Sequence, residues 1–529
     1  MSEQEIRVLV KHKPATLTLT SNGIIHGLFS PRKVFLDEVP VYLVLWAETE
    51  ANTLKFCYLK RNKKGKGKTI LTSCAWSIEE VDKEAAERWC KAVMEVAYAG
   101  TEPSRRLRIL VNPHGGPGKA KQIYEKTVEP IFRATKSTFE TTYTEYSKHA
   151  QEIAKNLPLN FDALVLLSGD GLLHEIYNGF AEHDDPMRAF ATPVAPVPTG
   201  SANGMAINLL GVEDGFDVGI ACLNAIKGKP MKQDICSVMI GNQRIFSYFS
   251  VTLGLMADLD LGTEHLRWMG DLRFVVGYLQ GIITKKTCPI KLELKVAESN
   301  KDRLVEEFRE RGEAHRRAQL AQELIDHKHN VGDDSLPVLR HMEDSQEDGD
   351  DSWVTFDKPL TYFYAGSSPY VARDLMQFPV AHASDGLIDV VAQERTTRGE
   401  MLSAMDGAHK GAAFWRDSQH YFKVHAYRIT PLAPGNLAID GERYDLAPFQ
   451  VECHRALGAL LSPTGYYAAE FDLPKPTPED VKSRAGKNRS GRAEGTSVAG
   501  AEGSENVVQN EDESGEHGPK KRKRLFGCI

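Results

Sequence analysis

The stretch "VLLSGDGLLHEIYNGF", Val165 to Phe180, is an apolar run that stops at Ser-Gly-Asp-Gly and resumes with helical spacing. A strand apolar on both faces belongs in a covered sheet. Glycine takes backbone angles closed to other residues and lets a ligand approach the main chain. An aspartate between two glycines at the mouth of such a strand raises the question of what its carboxylate touches.

The same unit recurs on both sides. From Leu107, "LRILVNP", "FETTYTEY", "DALVLLSG" and "PVAPVPTG" read as strands. "KAKQIYEKTVEPIFRAT", "HAQEIAKNL", "LLHEIYNGF" and "ANGMAINLL" read as the helices between and after them. This alternation predicts a largely parallel α/β sheet over residues 105–229. Ligands of such sheets sit beyond the carboxyl ends of the strands. All three glycine clusters fall there: "LVNPHGGPGKA" (Leu110 to Ala120), Ser168 to Gly171, and "PTGSANGMA" (Pro198 to Ala206). The first is no Walker A loop, because Ala120 stands where the magnesium hydroxyl is needed, and its glycine spacing does not fit a dinucleotide fingerprint. Strand, glycine turn and helix start still make an anion site, to which Lys119 adds a charge. Alone, that cluster reads equally as a tight turn; three on one sheet edge predict a phosphate-binding edge.

The chain has 529 residues, too many for one core. Residues 1–104 read as short strands closed by the helix "EEVDKEAAERWCKAVMEVAY", with Ala85, Trp89, Val93, Val96 and Ala97 on one face. That pattern resembles a pleckstrin-homology-like (PH-like) domain. The run "KRNKKGKGK" (Lys60 to Lys68) has two readings, a solvated loop or a docking loop for anionic lipid. Over 230–474 strands dominate, as in an antiparallel β sandwich, with one long apolar helix, "RWMGDLRFVVGYLQGIIT". A charged insertion, 299–351, is expected to be exposed and partly disordered, helical around "EEFRERGEAHRRAQLAQELI". Residues 475–529 have the composition of a disordered tail and end in "KKRKRLFGCI".

The net charge of −7 gives no bulk attraction to nucleic acid. Eight cysteines without a C-x-x-C pair predict reduced thiols in a cytoplasmic protein. No signal core and no bilayer-length apolar run is present, so contact with an anionic membrane surface is expected to be peripheral.

"NPHGGPGKA", "SGDGLLHEIYNG", "PTGSANGMA" and "HASDGLIDVV", in this order, resemble the lipid kinases that include diacylglycerol, ceramide and sphingosine kinases. Ser-Gly-Asp-Gly and "GLMADLDLGTEHLRWMGDLRF" bring the resemblance nearest to sphingosine (long-chain base) kinases. It covers roughly Leu107 to Leu473 without the insertion. It implies a phosphofructokinase-like α/β domain and a β-sandwich domain, with ATP between them and the lipid mostly in the second. Asn112, Pro113 and His114, with Gly115, Gly116 and Lys119, would flank the nucleotide, and Thr144 would border it. Ser168, Gly169, Asp170 and Gly171 would line both substrates, with Asp170 as the catalytic base. Gly200, Ser201 and Ala202 would cradle phosphates, and Arg267 and Arg273 would contact them. Asp440, Gly441 and Glu442 would close the nucleotide site, and Asp260 would bind the lipid's amino group. Magnesium would bridge the phosphates. His114 and Pro117 replace basic residues frequent in the first turn, and Ala202 replaces a frequent glycine.

The chemistry agrees with those roles. A primary alcohol needs a base to take its proton during attack. A sphingoid base is also a cation, and a buried ammonium needs a carboxylate. Asp258, Asp260 and Glu264 offer one, although Asp258 also reads as a helix cap. "FSYFSVTLGLM" and "FVVGYLQGII" read either as walls of a hydrocarbon slot or as plain core. Two alternatives stay open: a ceramide or diacylglycerol kinase, and an inactive lipid-binding scaffold. The intact Asp170 motif argues against the second.

Overall fold

The computed structural model describes residues 3–29, 33–62, 68–200, 202–263, 272–284, 286–320, 335–341 and 353–477. Residues 3–475 belong to one compact unit. Its first part is a seven-stranded antiparallel sheet in the order Lys33–Pro40, Ile24–Phe29, Lys13–Leu19, Gln4–Val10, Thr69–Ser77, Thr53–Arg61, Val44–Glu50. The helix Lys83–Ala97 packs on it through Ala86, Trp89, Cys90, Val93 and Ala97. Ala85 and Val96 are half-buried against the same core, which Ala86 and Cys90 join.

This sheet does not stand apart. Its core runs on into the helix Val218–Lys227 of the following part. Asp217, buried at that helix's N-terminus, accepts from Thr69 N and Thr69 Oγ1, each at 2.8 Å, and from Gly219 N at 2.9 Å. Arg61 grips Asp214 with two 2.8 Å hydrogen bonds. Lys227 donates to Tyr42 O at 2.8 Å.

The second sheet begins with four parallel strands in the order Thr138–Tyr143, Arg106–Val111, Ala163–Ser168, Val194–Pro198. Ala163–Ser168 is buried at every position, as a central strand covered on both faces must be. The long strand Phe449–Ser462 then links the parallel part to the antiparallel one. It meets Val194 in parallel and pairs antiparallel with Lys229–Ile240 and Gln419–Pro431. Ile388–Glu394, Leu360–Gly366, Ser250–Gly254 and Leu437–Ile439 continue the antiparallel run.

Three expectations change. "RIFSYFSVTLGL" forms two strands, Gln243–Ser247 and Ser250–Gly254, and the chain then turns into a helix, Leu255–Gly262. Gly254, at φ 69°, makes that turn. Asp258 lies in the first turn of this helix, whose N-cap is Gly254, and pairs with Lys286 and Asn436 at 2.8 and 2.7 Å. The helix expected in the first part of the insertion is present, but it packs against the protein instead of standing exposed. Lys301–Leu320 is a helix with Leu304 and Val305 buried, and Arg311 reaches the buried Asp385 at 3.4 Å. Of the long apolar helix, Leu272–Thr284 is described.

Candidate active site

The three glycine turns meet at the carboxyl ends of the parallel strands, stacked backbone on backbone. A Cβ on Gly200 would stand 2.3 Å from Gly169 Cα, and one on Gly169 2.8 Å from Ala202 O. Neither position admits a side chain, so the second and third turns touch only because both are glycine.

Asp170 sits where these turns open into a cavity of about 550 Å³. Its Oδ2 accepts from Gly204 N at 2.8 Å and its Oδ1 from Met205 N at 3.1 Å. The carboxylate thereby closes the N-terminus of the helix Gly204–Asp214, which fixes it sterically and electrostatically. Each oxygen keeps a lone pair for another donor. Burial pushes the carboxyl above its usual range, and the two backbone N–H groups only partly oppose this. Tyr248 donates its hydroxyl to Asp170 O at 2.8 Å.

Across the cavity, Asp440 and Gly441 form the two-residue turn between Leu437–Ile439 and Glu442–Tyr444, with φ of 51° and 84°, the backbone of a tight hairpin. The Asp440 carboxylate faces inward and accepts five hydrogen bonds. The donors are Ser247 Oγ (2.8 Å), Phe249 N (3.0 Å), Ser250 N (2.9 Å), Tyr248 N (3.2 Å) and His174 Nδ1 (2.7 Å). His174 Nε2 meets Tyr444 OH at 2.8 Å. The turn so held brings Glu442 to the second glycine turn: a Cβ on Gly171 would stand 2.8 Å from Glu442 Oε1.

Of the residues singled out from sequence, Asn112, His114, Gly115, Gly116, Ser168 to Gly171, Gly200, Ala202, Asp260 and Asp440 to Glu442 line this one cavity. Pro113, Lys119 and Thr144 are not among its lining residues; Thr144 is buried and bonded to Val111 O. Ser201, Glu264, Arg267 and the Arg273 side chain lie outside the described residues. Asp260 projects from the helix Leu255–Gly262 toward the Asp440–Gly441 turn, 3.7 Å from where a Cβ on Gly441 would stand. Phe249, Met256, Leu259, Val275 and Tyr278 give the cavity apolar wall. The two apolar runs read from sequence thus supply part of its wall. Residues 371–377 and 404–413 supply more, and sequence reasoning missed them, as it missed His174, Ser247 and Tyr248. Nothing in their local pattern marks them.

A buried carboxylate between glycine turns, on a cavity with apolar wall, suits deprotonation of an alcohol beside a phosphate. Residues 106–238 match the diacylglycerol kinase catalytic domain family, and residues 7–99 match a domain of unknown function (DUF7493). The chain is 32% identical to sphingoid long chain base kinase 4 of Schizosaccharomyces pombe, over 80% of this chain and 88% of that one. It is 29% identical to sphingoid long chain base kinase 5 of Saccharomyces cerevisiae, over 72% of this chain and 62% of that one. A solved putative diacylglycerol kinase from Bacillus anthracis aligns with a TM-score of 0.46 at 17% identity, over 68% of this chain and 98% of that one. The chain belongs to the sphingoid long chain base kinase family, and it is a lipid kinase that uses ATP.

Proposed function

We propose that the chain transfers the γ-phosphoryl group of ATP to the primary hydroxyl of sphingoid long-chain bases: sphingosine, dihydrosphingosine and phytosphingosine. The observation that carries this is the pairing of two carboxylates on one cavity. Asp170 lies at the glycine turns and Asp260 beside the Asp440–Gly441 turn, both on the cavity wall. Asp170 takes the hydroxyl proton as the oxygen attacks phosphorus. Asp260 pairs with the ammonium, which diacylglycerol and ceramide lack. The backbone of the glycine turns at residues 112–116, 168–171 and 200–202 receives the phosphates, with Lys119, Arg267 and Arg273 adding positive charge. Pro113 and Thr144, which do not line the cavity, are assigned to the nucleotide's surroundings by the resemblance alone. Asp440 acts by holding the turn that carries Gly441 and Glu442.

Among the described residues there is no group of three metal-ligating side chains. Magnesium keeps phosphate and water ligands and takes only one or two carboxylates. Glu442, beside the second glycine turn, would hold such an ion, which would neutralise phosphate charge.

We assign the PH-like part to 1–104, the phosphofructokinase-like ATP domain to 105–229, the sandwich lipid domain to 230–474 and the tail to 475–529. Among the described residues no helix is long and apolar enough to cross a membrane. Peripheral attachment from the cytoplasmic side, through "KRNKKGKGK" and "KKRKRLFGCI", would bring the enzyme to its substrate. Residues 63–67 and 478–529 of these runs lie outside the described residues. Deleting Lys520 to Ile529 should move the protein from membrane pellet to supernatant; unchanged fractionation would reject the tail as an anchor.

The functional test is transfer of labelled phosphate from ATP to sphingosine, dihydrosphingosine, phytosphingosine, ceramide and diacylglycerol. Labelling confined to the three amines supports the reading; equal labelling of ceramide or diacylglycerol overturns it.

A further inference from the structure

The insertion helix Lys301–Leu320 supplies no residue to the cavity wall, yet its first residue is badly placed for the helix itself. The helix start is already complete, because Asn300 Oδ1 accepts from Asp302 N at 3.0 Å and from Arg303 N at 3.2 Å. A cation at a helix N-terminus opposes the dipole, and a half-buried ammonium such as that of Lys301 loses part of its water.

What offsets these costs lies outside the helix. Lys301 Nζ donates to Arg416 O at 2.9 Å and to Gln419 O at 2.7 Å. It also lies over the Phe414 ring, 5.7 Å from its centre. The two carbonyls flank the turn by which the short helix Ala412–Trp415 enters the strand Gln419–Pro431. Ala413 and Gln419, on either side of that turn, line the cavity. Arg416 carries the hold one element further. It donates to Ser403 Oγ at 2.9 Å and to Ser403 O at 2.5 Å, and the adjoining Ala404 lines the cavity as well.

The helix backs the same wall farther along. Leu304 and Val305 are buried in one cluster with Met256, Leu259, Tyr362, Tyr364 and Met376, all of which line the cavity. Ala404, Met405, Ala408 and Ala413 offer that cavity side chains without charge. Such a wall suits an alkyl chain better than a triphosphate. We propose that Lys301 is a positioning residue for the lipid substrate. Through the turn at residues 414–419 it sets the apolar wall against which the hydrocarbon chain of the sphingoid base lies. This rests on the cavity being the sphingoid-base site.

Full-length enzyme is assayed with sphingosine varied at saturating ATP, and with ATP varied at saturating sphingosine. Lys301→Met keeps the length of the stem and removes the donors. The KM for sphingosine should rise roughly tenfold, while kcat and the KM for ATP stay within about twofold of the wild type. Lys301→Gln is run beside it, so that poor folding of one variant does not decide the result, and it should shift the same constant in the same direction. A residue that only stabilises the fold would not separate the two substrates. Values of KM for sphingosine and ATP that rise together, or a KM for sphingosine that does not move, overturn the proposal. Wild-type enzyme that transfers no phosphate to sphingosine overturns instead the assignment of the sphingoid-base site.

Discussion

Asp440→Asn tests how the wall opposite Asp170 is held. Asparagine keeps the side chain's shape and tolerates the left-handed backbone at φ 51°, so the perturbation is confined to one oxygen. An amide nitrogen at the Oδ1 position would face the N–H groups of both Phe249 and Ser250. At Oδ2 it faces Tyr248 N–H and His174 Nδ1, and this is the cheaper choice. His174 can then turn acceptor at Nδ1 while Nε2 donates to Tyr444. Tyr248 N–H has no such recourse and stays buried without a partner. Losing that acceptor, together with the charge behind the remaining bonds, costs about 2–4 kcal/mol. The urea midpoint should fall accordingly. KM should rise for ATP and lipid together, because the turn carries Gly441 and Glu442 and lies beside Asp260. Unaltered stability with a raised KM for ATP alone would refute this, and would mean that the carboxylate contacts the nucleotide directly.

Asp260→Ala should raise the KM for sphingosine far more than that for ATP; equal effects would place the amine's partner elsewhere. Asp217→Ala removes the buried acceptor of Thr69 and should loosen the N-terminal sheet, seen as faster proteolytic release of a fragment near residue 104; unchanged cleavage would show that this anchor is dispensable. Because burial raises the Asp170 pKa, the base is lost as pH falls through a value above the ordinary carboxylate range, about 4. The acid limb of kcat/KM should therefore lie above that range and vanish in Asp170→Asn; a limb at ordinary carboxylate pH would contradict the burial argument.

The parallel sheet and its glycine turns were legible because each strand, turn and helix is contiguous in sequence. Asp170 was legible for the same reason. The setting of Asp440 was not: His174 lies 266 residues before it, and no local pattern announces such a pair. The helix Leu255–Gly262 was hidden because a short apolar run after a strand reads as more strand. The insertion's charge concealed that Leu304 and Val305 are buried.

The most direct measurement is transfer of labelled phosphate from ATP to sphingosine by wild-type enzyme and by Asp170→Asn, with ATP binding measured in parallel. Asp170 as the base of a sphingoid base kinase predicts transfer by the wild type. It predicts a loss of roughly a hundredfold or more in the variant, with nucleotide affinity retained. Near-normal turnover by Asp170→Asn, or no transfer by the wild type, would contradict it.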